Sequence, residues 1–300
     1  MKAVTDYTVL LGLGATKAGT SWLYQRLAAH PETYFRTIKE HHYFNCARMG
    51  AWDRQIANHR GQHKSMFERA ARKLGFPAAN MAPDAFAQSD IMQRLSDRYD
   101  WLKILERKAY DPEAYMSYLT AKAGDAKLVG DITPAYALLD EEWLQKALSI
   151  APDVRMIYSV RDPLERLWSH VRMMAERRDP KGVATPDRAH RILMQTIQGR
   201  ETELVTRADY AGILPRLTSC IPNDRLLILT FDELVKGDGF ARVCDFLGLS
   251  AFEPDPDPVF PAQKVELRED ARALALEWLR PQYDAALAHF GALPDRWNTP

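Results

Sequence analysis

The stretch YTVLLGLGATKAGTSWLYQRLAA, residues 7–29, decides the fold. Its apolar run Tyr7–Leu13 predicts a buried strand, and the apolar residues at helical spacing between Trp22 and Ala29 predict a helix. A glycine-bearing loop joins the two elements. In a strand–loop–helix unit, the loop amides and the helix N-terminus converge on one spot that favours an anion. The segment therefore predicts a phosphate-binding loop that opens an α/β fold.

Three side chains of this loop suit phosphate chemistry. Lys17 supplies a positive charge, while Thr20 and Ser21 supply hydroxyl donors. The common nucleotide loop, G-x-x-x-x-G-K-[ST], has its lysine directly after the second glycine. Here the lysine comes two residues before Gly19 and is predicted to lie on the crown of the loop. A loop that only turns a strand into a helix, with Lys17 in solvent, is the alternative interpretation.

Length, charge and cysteine content narrow the class of protein. The 300 residues can bury a sizeable core, and the 40 Lys and Arg balance the 40 Asp and Glu. A zero net charge gives no global field that would favour nucleic acid or an anionic membrane. Three widely separated cysteines indicate a reducing compartment. With no run long enough to span a membrane and no signal-peptide pattern, we expect a cytoplasmic protein without a membrane span.

Strands and helices alternate along the rest of the chain. Further buried strands are predicted at 127–131, 154–160 and 225–230, each followed by helical sequence. This pattern predicts a central parallel β-sheet flanked by helices, of the P-loop nucleotide-binding type. We expect one domain over residues 1–300, with a helical insertion at about 46–123 and a C-terminal helical segment at about 264–300.

A second candidate phosphate site follows the strand at 154–160. Arg161 comes at the carboxyl end of that strand, where ligands of α/β sheets bind. Asp162 is best explained as the cap of the following helix, with Pro163 at its first position. Ser169 lies about two turns further and is predicted to face Arg161, so the two side chains can bind a separate phosphate. Later arginines of this helix are interpreted as solvated charges: Arg166, Arg172, Arg177 and Arg178.

Residues 37–45 combine a carboxylate, two imidazoles and two aromatic rings. One interpretation is a core contribution from Tyr43 and Phe44 beside a solvated charged loop. The other is a reactive segment that carries Glu40 and His42. The residues alone leave both interpretations open.

Two motifs in the right order resemble those of sulfotransferases that use 3′-phosphoadenosine-5′-phosphosulfate (PAPS). The sequence at 17–23 resembles the family's 5′-phosphosulfate loop, K-x-G-T-[TS]-x-L. The sequence at 161–169 resembles its 3′-phosphate motif, R-[DE]-P-x-x-R-x-x-S. The segment 226–249 is similar to a later strand-and-helix region of the family. The resemblance leaves only residues 46–123 and 179–206 without a firm counterpart.

The resemblance implies transfer of a sulfuryl group from PAPS to a hydroxyl or amine of an acceptor such as a carbohydrate, lipid or small alcohol. It implies no metal requirement. Lys17 would stabilise the bridging oxygen, and Arg161 with Ser169 would hold the 3′-phosphate. The implied cofactor-binding residues are Lys17, Ala18, Gly19, Thr20, Ser21, Trp22, Arg161 and Ser169. Lys264, just after the proline-rich linker, is a further candidate that would close over the nucleotide.

The segment Lys39–Phe44 is most similar to glycan-modifying members of the heparan sulfate type. Those enzymes carry a glutamate two residues before a histidine, so the match implies that Glu40 is the general base and His42 its neighbour or a second candidate base. Where glycan-type members read E-K-[ST]-P-x-Y, this chain has Ile132 in place of the lysine.

Two other classes remain open. A P-loop kinase or NTPase needs a hydroxyl directly after the loop lysine and a strand-end carboxylate for magnesium. Ala18 stands at the first position, whereas Asp131 could supply the second. A non-catalytic nucleotide-binding protein is the third class, and it would keep Glu40 and His42 away from the cleft.

Overall fold

A parallel sheet organises the molecule in the computed structural model, which describes residues 6–74, 90–236, 238–253 and 265–299. Within these residues the sheet has five strands: β1 Thr8–Gly14, β2 Thr33–Phe35, β3 Leu128–Ile132, β4 Val154–Val160 and β5 Leu226–Thr230. Their order across the sheet is β2-β3-β1-β4-β5, and every pairing is parallel. The predicted fold class is confirmed.

Helices cover both faces of this sheet. The first part of the chain contributes α1 Thr20–Ala29, α2 Tyr43–Met49, α3 Trp52–Leu74, α4 Asp90–Leu105, α5 Pro112–Thr120 and α6 Glu141–Leu148. The second part contributes α7 Pro163–Arg177, α8 Pro186–Ile197, α9 Thr202–Ala208, α10 Tyr210–Cys220, α11 Phe231–Val235, α12 Gly239–Leu247 and α13 Glu269–Phe290. Short 3₁₀ turns occupy Pro134–Leu138 and Asn223–Arg225. None of the helices in the described ranges is long and apolar enough to cross a bilayer.

The strands are apolar on both sides, as buried parallel strands require. Val9, Leu11 and Leu13 of β1 belong to one core cluster, and Leu10 belongs to the cluster on the opposite face. Successive side chains of a strand point to opposite faces, so the continuous run that begins at Tyr7 supplies both layers. This is why the continuous apolar run indicated a buried strand.

Helices α2 to α5 lie in the region of the predicted insertion, and α5 packs against β3. Tyr43 and Phe44 are fully buried here, as the core interpretation expected. Tyr43 stacks on Tyr115 with ring centroids 4.3 Å apart. Ile38 and His41 of the segment 37–45 are buried as well, whereas Lys39, Glu40 and His42 are half-buried and remain available to a site.

The chain changes direction across the sheet between β1 and β4. After β1 it continues toward β2 on one side, and after β4 it continues toward β5 on the other. Loops at the carboxyl ends of two such strands diverge and leave a crevice, which is where open α/β sheets bind ligands. The loop after β1 carries Lys17, and Arg161 follows β4 directly.

Candidate active site

A cavity of about 2040 Å³ opens at this crevice. It is lined by the β1–α1 loop, the end of β4 with α7, the segment 37–42, helices α2 to α4, the turn after β3, and helices α9 to α11. Nine residues singled out by the sequence line it together: Lys17, Gly19, Thr20, Ser21, Trp22, Glu40, His42, Arg161 and Ser169. Residues from distant parts of the chain therefore share one site.

The loop presents a helix N-terminus that no side chain caps. Gly19 precedes α1 with φ of 88°, and the first turn of the helix holds no acidic residue. The first amides of a helix have no intrahelical partner, so those of α1 are donors at the cavity wall. Ala18 is fully buried below them, and its amide donates to the Ala15 carbonyl at 3.1 Å.

Gly19 is required for two reasons. Its φ lies in the left-handed region, which L-residues with a side chain adopt at a cost. A Cβ at this position would also lie 2.7 Å from Cδ2 of Phe231, the first residue of α11. The loop therefore rests directly on the α11 ring.

Arginines hold the crown of the loop from three directions. The Arg161 guanidinium donates to the Lys17 carbonyl at 3.3 Å, and Arg166 donates to the Thr16 carbonyl at 3.5 Å. Arg207 of α9 donates to the Thr16 hydroxyl at 2.9 Å. Lys17 itself has φ of 70°, a left-handed conformation that costs about 1–2 kcal/mol outside glycine. These contacts keep that conformation in place.

The Lys17 ammonium lies in a positive environment. Burial and the nearby charge of Arg161 lower its pKa, with smaller effects from Arg172, Arg177 and Lys39. A cation surrounded by cations gains more than an isolated one from an anionic ligand. The field at the loop therefore favours a strongly negative group.

The residues of the second candidate phosphate motif lie at the end of β4 and on α7. Asp162 caps α7 by accepting from the Glu165 amide at 2.9 Å, and it also accepts from the Tyr283 hydroxyl of α13 at 2.9 Å. Arg161 pairs with Glu165 at 2.8 Å and lies over the Phe231 ring at 4.8 Å. Ser169 is on the same cavity wall. The cap interpretation of Asp162 is confirmed.

Glu40 and His42 lie in the cavity and contact one another. Glu40 Oε2 is 3.6 Å from His42 Nε2, and Oε1 is 3.0 Å from Lys39 Nζ. Lys39 also donates to the Thr20 hydroxyl at 3.3 Å, which joins this segment to the start of α1. Although burial opposes ionisation, the bond from His42 and the charge of Lys39 lower the pKa of Glu40 to about 2.

A buried carboxylate network supports the segment 39–42 from below. Asp131 at the end of β3 is fully buried and accepts from the hydroxyls of Thr133, Tyr115 and Tyr136 at 2.7, 2.8 and 2.6 Å. The imidazole Nδ1 of His41 lies 3.2 Å from the same carboxylate. Asp131 is committed to these partners and is absent from the cavity lining.

Two interpretations of the sequence need comment. The interpretation of Arg166 as a solvated charge is wrong. Its side chain is fully buried beneath the loop, and its guanidinium carbon lies 6.0 Å from the centroid of the Tyr210 ring. Arg166 and Ser169 are three residues apart and share one face of α7, and the loop after β1 covers Arg166 on that face. Lys264 lies outside the described residues.

Several residues of the site gave no signal in the sequence. Arg207 and Thr16 meet only because α9 folds back over the loop, 191 residues further along the chain. Arg172 and Arg177 line the cavity, although both resemble ordinary charges of an amphipathic helix. Such residues are visible only once the tertiary structure is known.

The fold and this crevice define a P-loop-type α/β protein with a strongly cationic site. A sequence model described as "Sulfotransferase family" matches residues 10–254. The chain belongs to the sulfotransferase family. No curated protein sequence gives a significant match.

Solved structures agree with this fold. A sulfotransferase from Alicyclobacillus acidocaldarius is similar with a TM-score of 0.61 and 18% identity, over 96% of this chain and 97% of that one. The sulfotransferase domain from the curacin biosynthetic pathway is similar with a TM-score of 0.55 and 16% identity, over 98% and 99% of the two chains. At these identities the likeness concerns the fold.

Proposed function

We propose that this enzyme transfers a sulfuryl group from PAPS to a hydroxyl or amine of an acceptor, such as a carbohydrate, lipid or small alcohol. One observation carries the proposal. The β1–α1 loop, the Arg161–Ser169 motif and the Glu40–His42 pair line one cavity at the point where the sheet changes direction. The two proposed phosphate sites and a carboxylate thus share one cavity. PAPS supplies the activated sulfuryl group when bound.

The loop has the donors that the 5′-phosphosulfate needs. Uncapped amides at Gly19, Thr20 and Ser21 would hold the 5′-phosphate, and both hydroxyls can add to them. The Lys17 ammonium would stabilise the negative charge that develops on the leaving oxygen. Trp22 lines the same wall of the cavity, and Ala18 is buried directly beneath that wall. The positive environment of Lys17 is the independent sign that these residues suit a polyanion.

The β4 motif would recognise the 3′-phosphate, the group that distinguishes this nucleotide from ADP or ATP. Arg161 can give two parallel hydrogen bonds to a phosphate, and Ser169 can add a third. Arg161 now shares its guanidinium between Glu165 and the Lys17 carbonyl. A phosphate would offer a stronger partner than either, and the contact with the loop would couple the two phosphate sites.

Glu40 is proposed to accept the acceptor's proton. With a pKa of about 2 it is ionised at neutral pH, as a base must be before reaction. Its bonds to Lys39 and His42 would weaken when an acceptor hydroxyl displaces one of them, which would raise its basicity at the moment of transfer. His42 remains the second candidate base.

The kinase hypothesis is less consistent with this site. Ala18 follows the loop lysine, and Asp131 is held by three hydroxyls outside the cavity. A cytoplasmic location stays a proposal that rests on three free cysteines, Cys46, Cys220 and Cys244.

Calorimetric titration with 3′-phosphoadenosine-5′-phosphate (PAP) tests the donor assignment. ADP is the matched nucleotide without the 3′-phosphate, and chelator is present throughout. Arg161→Ala should weaken PAP binding about 10- to 100-fold and ADP binding clearly less, because ADP loses only the support that Arg161 gives to the loop. Lys17→Ala should weaken both nucleotides.

Arg178→Ala is the control, because Arg178 follows the same helix but pairs with Glu201 at 2.6 Å away from the cavity. It should bind PAP as the wild type does. Equal or tighter binding of ADP, or a strict need for magnesium, would refute PAPS as the donor and favour the kinase.

A further inference from the structure

The cavity is far more cationic than the chain that forms it. Lys and Arg side chains on its lining outnumber Asp and Glu by ten to four, whereas the whole chain has 40 of each. The ten are Lys17, Lys39, Arg48, Arg54, Arg98, Arg161, Arg172, Arg177, Arg207 and Arg216. Some of them belong to the proposed nucleotide site, but others are on the helical insertion, remote in sequence from both phosphate motifs.

The insertion forms what we call the distal wall: Arg54, Gln55, Asn58, His59 and Gln62 of α3 with Arg98 of α4. The α3 members repeat every three to four residues, so they share one face of the helix. None of the six is a carboxylate. The wall thus offers amides, an imidazole and two guanidinium groups to whatever enters the cavity.

Arg98 is the residue of this wall that points most directly to a ligand. Its Nη1 contacts His59 Nδ1 at 2.8 Å and Gln62 Oε1 at 2.6 Å, and its buried Nε has no hydrogen-bond partner in the described residues. Burial and the charge of Arg98 lower the pKa of His59 to about 3, so the imidazole is neutral and can accept. Both hydrogen-bond partners of the Arg98 guanidinium are therefore uncharged.

Acidic residues near the wall are committed elsewhere. Asp53 pairs with Lys108 at 2.6 Å, Glu106 pairs with Arg60 at 2.6 Å, and Asp97 pairs with Arg36 at 2.6 Å. No Asp or Glu of the described ranges comes within 4 Å of the nitrogen atoms of Arg54 or Arg98 in an ion pair. A half-buried guanidinium without a counter-charge is costly, and an anion would relieve that cost.

We infer that the distal wall binds a negatively charged group of the acceptor, a carboxylate, sulfate or phosphate that lies apart from the hydroxyl or amine to be sulfated. Arg98 and Arg54 provide the charge, and the amides of Gln55, Asn58 and Gln62 select polar neighbours of that group. This inference deepens the proposed function, since it takes the ligand of the wall to be the acceptor. The binding itself is testable before any acceptor is known.

Equilibrium dialysis of radiolabelled inorganic sulfate against PAP-saturated protein, at fixed ionic strength, is the test. The wild type should bind sulfate saturably beside PAP. Arg98→Met should bind it about 10- to 100-fold more weakly, and Arg54→Met should weaken it in the same direction. Arg94→Met is the matched control, because Arg94 is one turn away on α4, is exposed, and pairs with Asp90 at 3.0 Å.

The variants separate the wall from the nucleotide site. Unchanged PAP affinity and an unchanged circular dichroism spectrum would show that Arg98→Met is folded. If Arg98→Met does not fold, Arg54→Met, at an exposed position, is used for the test instead. Equal sulfate binding by the wild type and the wall variants, or no saturable sulfate binding by the wild type, would overturn the inference.

A failure of the proposed function would look different. In that case the wild type would not bind PAP at all. Dialysis would then use Lys17→Ala/Arg161→Ala protein, in which the loop anion site is removed. If this protein binds sulfate and the binding still depends on Arg98, the distal wall contains an anion site. If no such binding is found, the inference of an anion site on the wall is overturned.

Discussion

Replacement of Asp131 by asparagine tests the support beneath the segment 39–42. The carboxylate is fully buried, and its two oxygens accept from three hydroxyls. Although burial opposes ionisation, the nearby His41 and the hydroxyl bonds lower the pKa of Asp131 below its usual value. Asp131→Asn keeps the shape but removes the charge, and it replaces one accepting oxygen with a donating amide.

The expected cost follows from the bonds that change. A hydrogen bond to a charged group contributes about 1.5–3 kcal/mol, against about 0.5–1.5 kcal/mol for a neutral pair. Three bonds that each lose about 1 kcal/mol give about 3 kcal/mol, and loss of the contact with His41 raises the total to about 3–5 kcal/mol. For a chain of this length the midpoint of thermal unfolding should fall by roughly 10 °C.

Urea unfolding followed by circular dichroism measures this difference, with Asp140→Asn as the control. Asp140 caps α6 and pairs with Arg48 at 2.7 Å on the surface. Asparagine caps a helix nearly as well, and a surface ion pair contributes little, so the control should lose less than about 1 kcal/mol.

The pH dependence has a defined sign. Because the folded-state pKa of Asp131 is depressed, its stabilisation is fully present above the unfolded value of about 3.9 and is lost as the pH falls through the folded value. The gap between wild type and Asp131→Asn should therefore be constant from pH 7 to 5 and shrink toward pH 3. A loss below about 1 kcal/mol at pH 7, or a gap that widens in acid, would refute this account of the network.

Two further substitutions test the loop. Gly19→Ala should lower the free energy of unfolding by about 2–4 kcal/mol, because left-handed strain adds to the steric contact with Phe231. The control Gly124→Ala has φ of 55° but open space around its Cβ, so it should cost only about 1 kcal/mol. Equal losses of the two variants in urea unfolding would contradict the argument from the Phe231 contact. Thr16→Val removes the acceptor for Arg207 without changing charge and should weaken PAP binding about 10-fold by calorimetry, as should Arg207→Met. Unchanged affinity in Thr16→Val would mean that Arg207 acts by its charge alone.

The sheet and the loop could be predicted because their signals are local. The apolar run from Tyr7, the glycine loop and the helical spacing after Trp22 are read within 23 residues. The strand at 154–160 and the cap at Asp162 are equally local, and the structure has both. Parallel strands buried on both faces leave a strong continuous apolar pattern, and alternation with helices fixes their direction.

The environment of each charge could not be predicted, because tertiary contacts decide it. Helical spacing shows which residues share a face, but not whether that face meets solvent or another part of the chain. Arg166 shows the difference: it reads as a surface charge, yet the loop after β1 covers it. Arg207 contacts Thr16 across 191 residues of chain for the same reason.

The net charge of the chain gives no information about where the individual charges lie in the fold. Equal numbers of acids and bases exclude a global field, but they say nothing about where the unpaired charges lie. In this protein the acids of the insertion pair with lysines and arginines away from the cavity, as Asp53 does with Lys108 and Glu106 with Arg60. Arg54 and Arg98 of the insertion form no such ion pair within the described residues and line the cavity, so a neutral chain builds a cationic site. A field confined to a cavity of this size attracts a small anion that can enter it, and the low dielectric of the walls strengthens that attraction beyond what an exposed basic patch would provide.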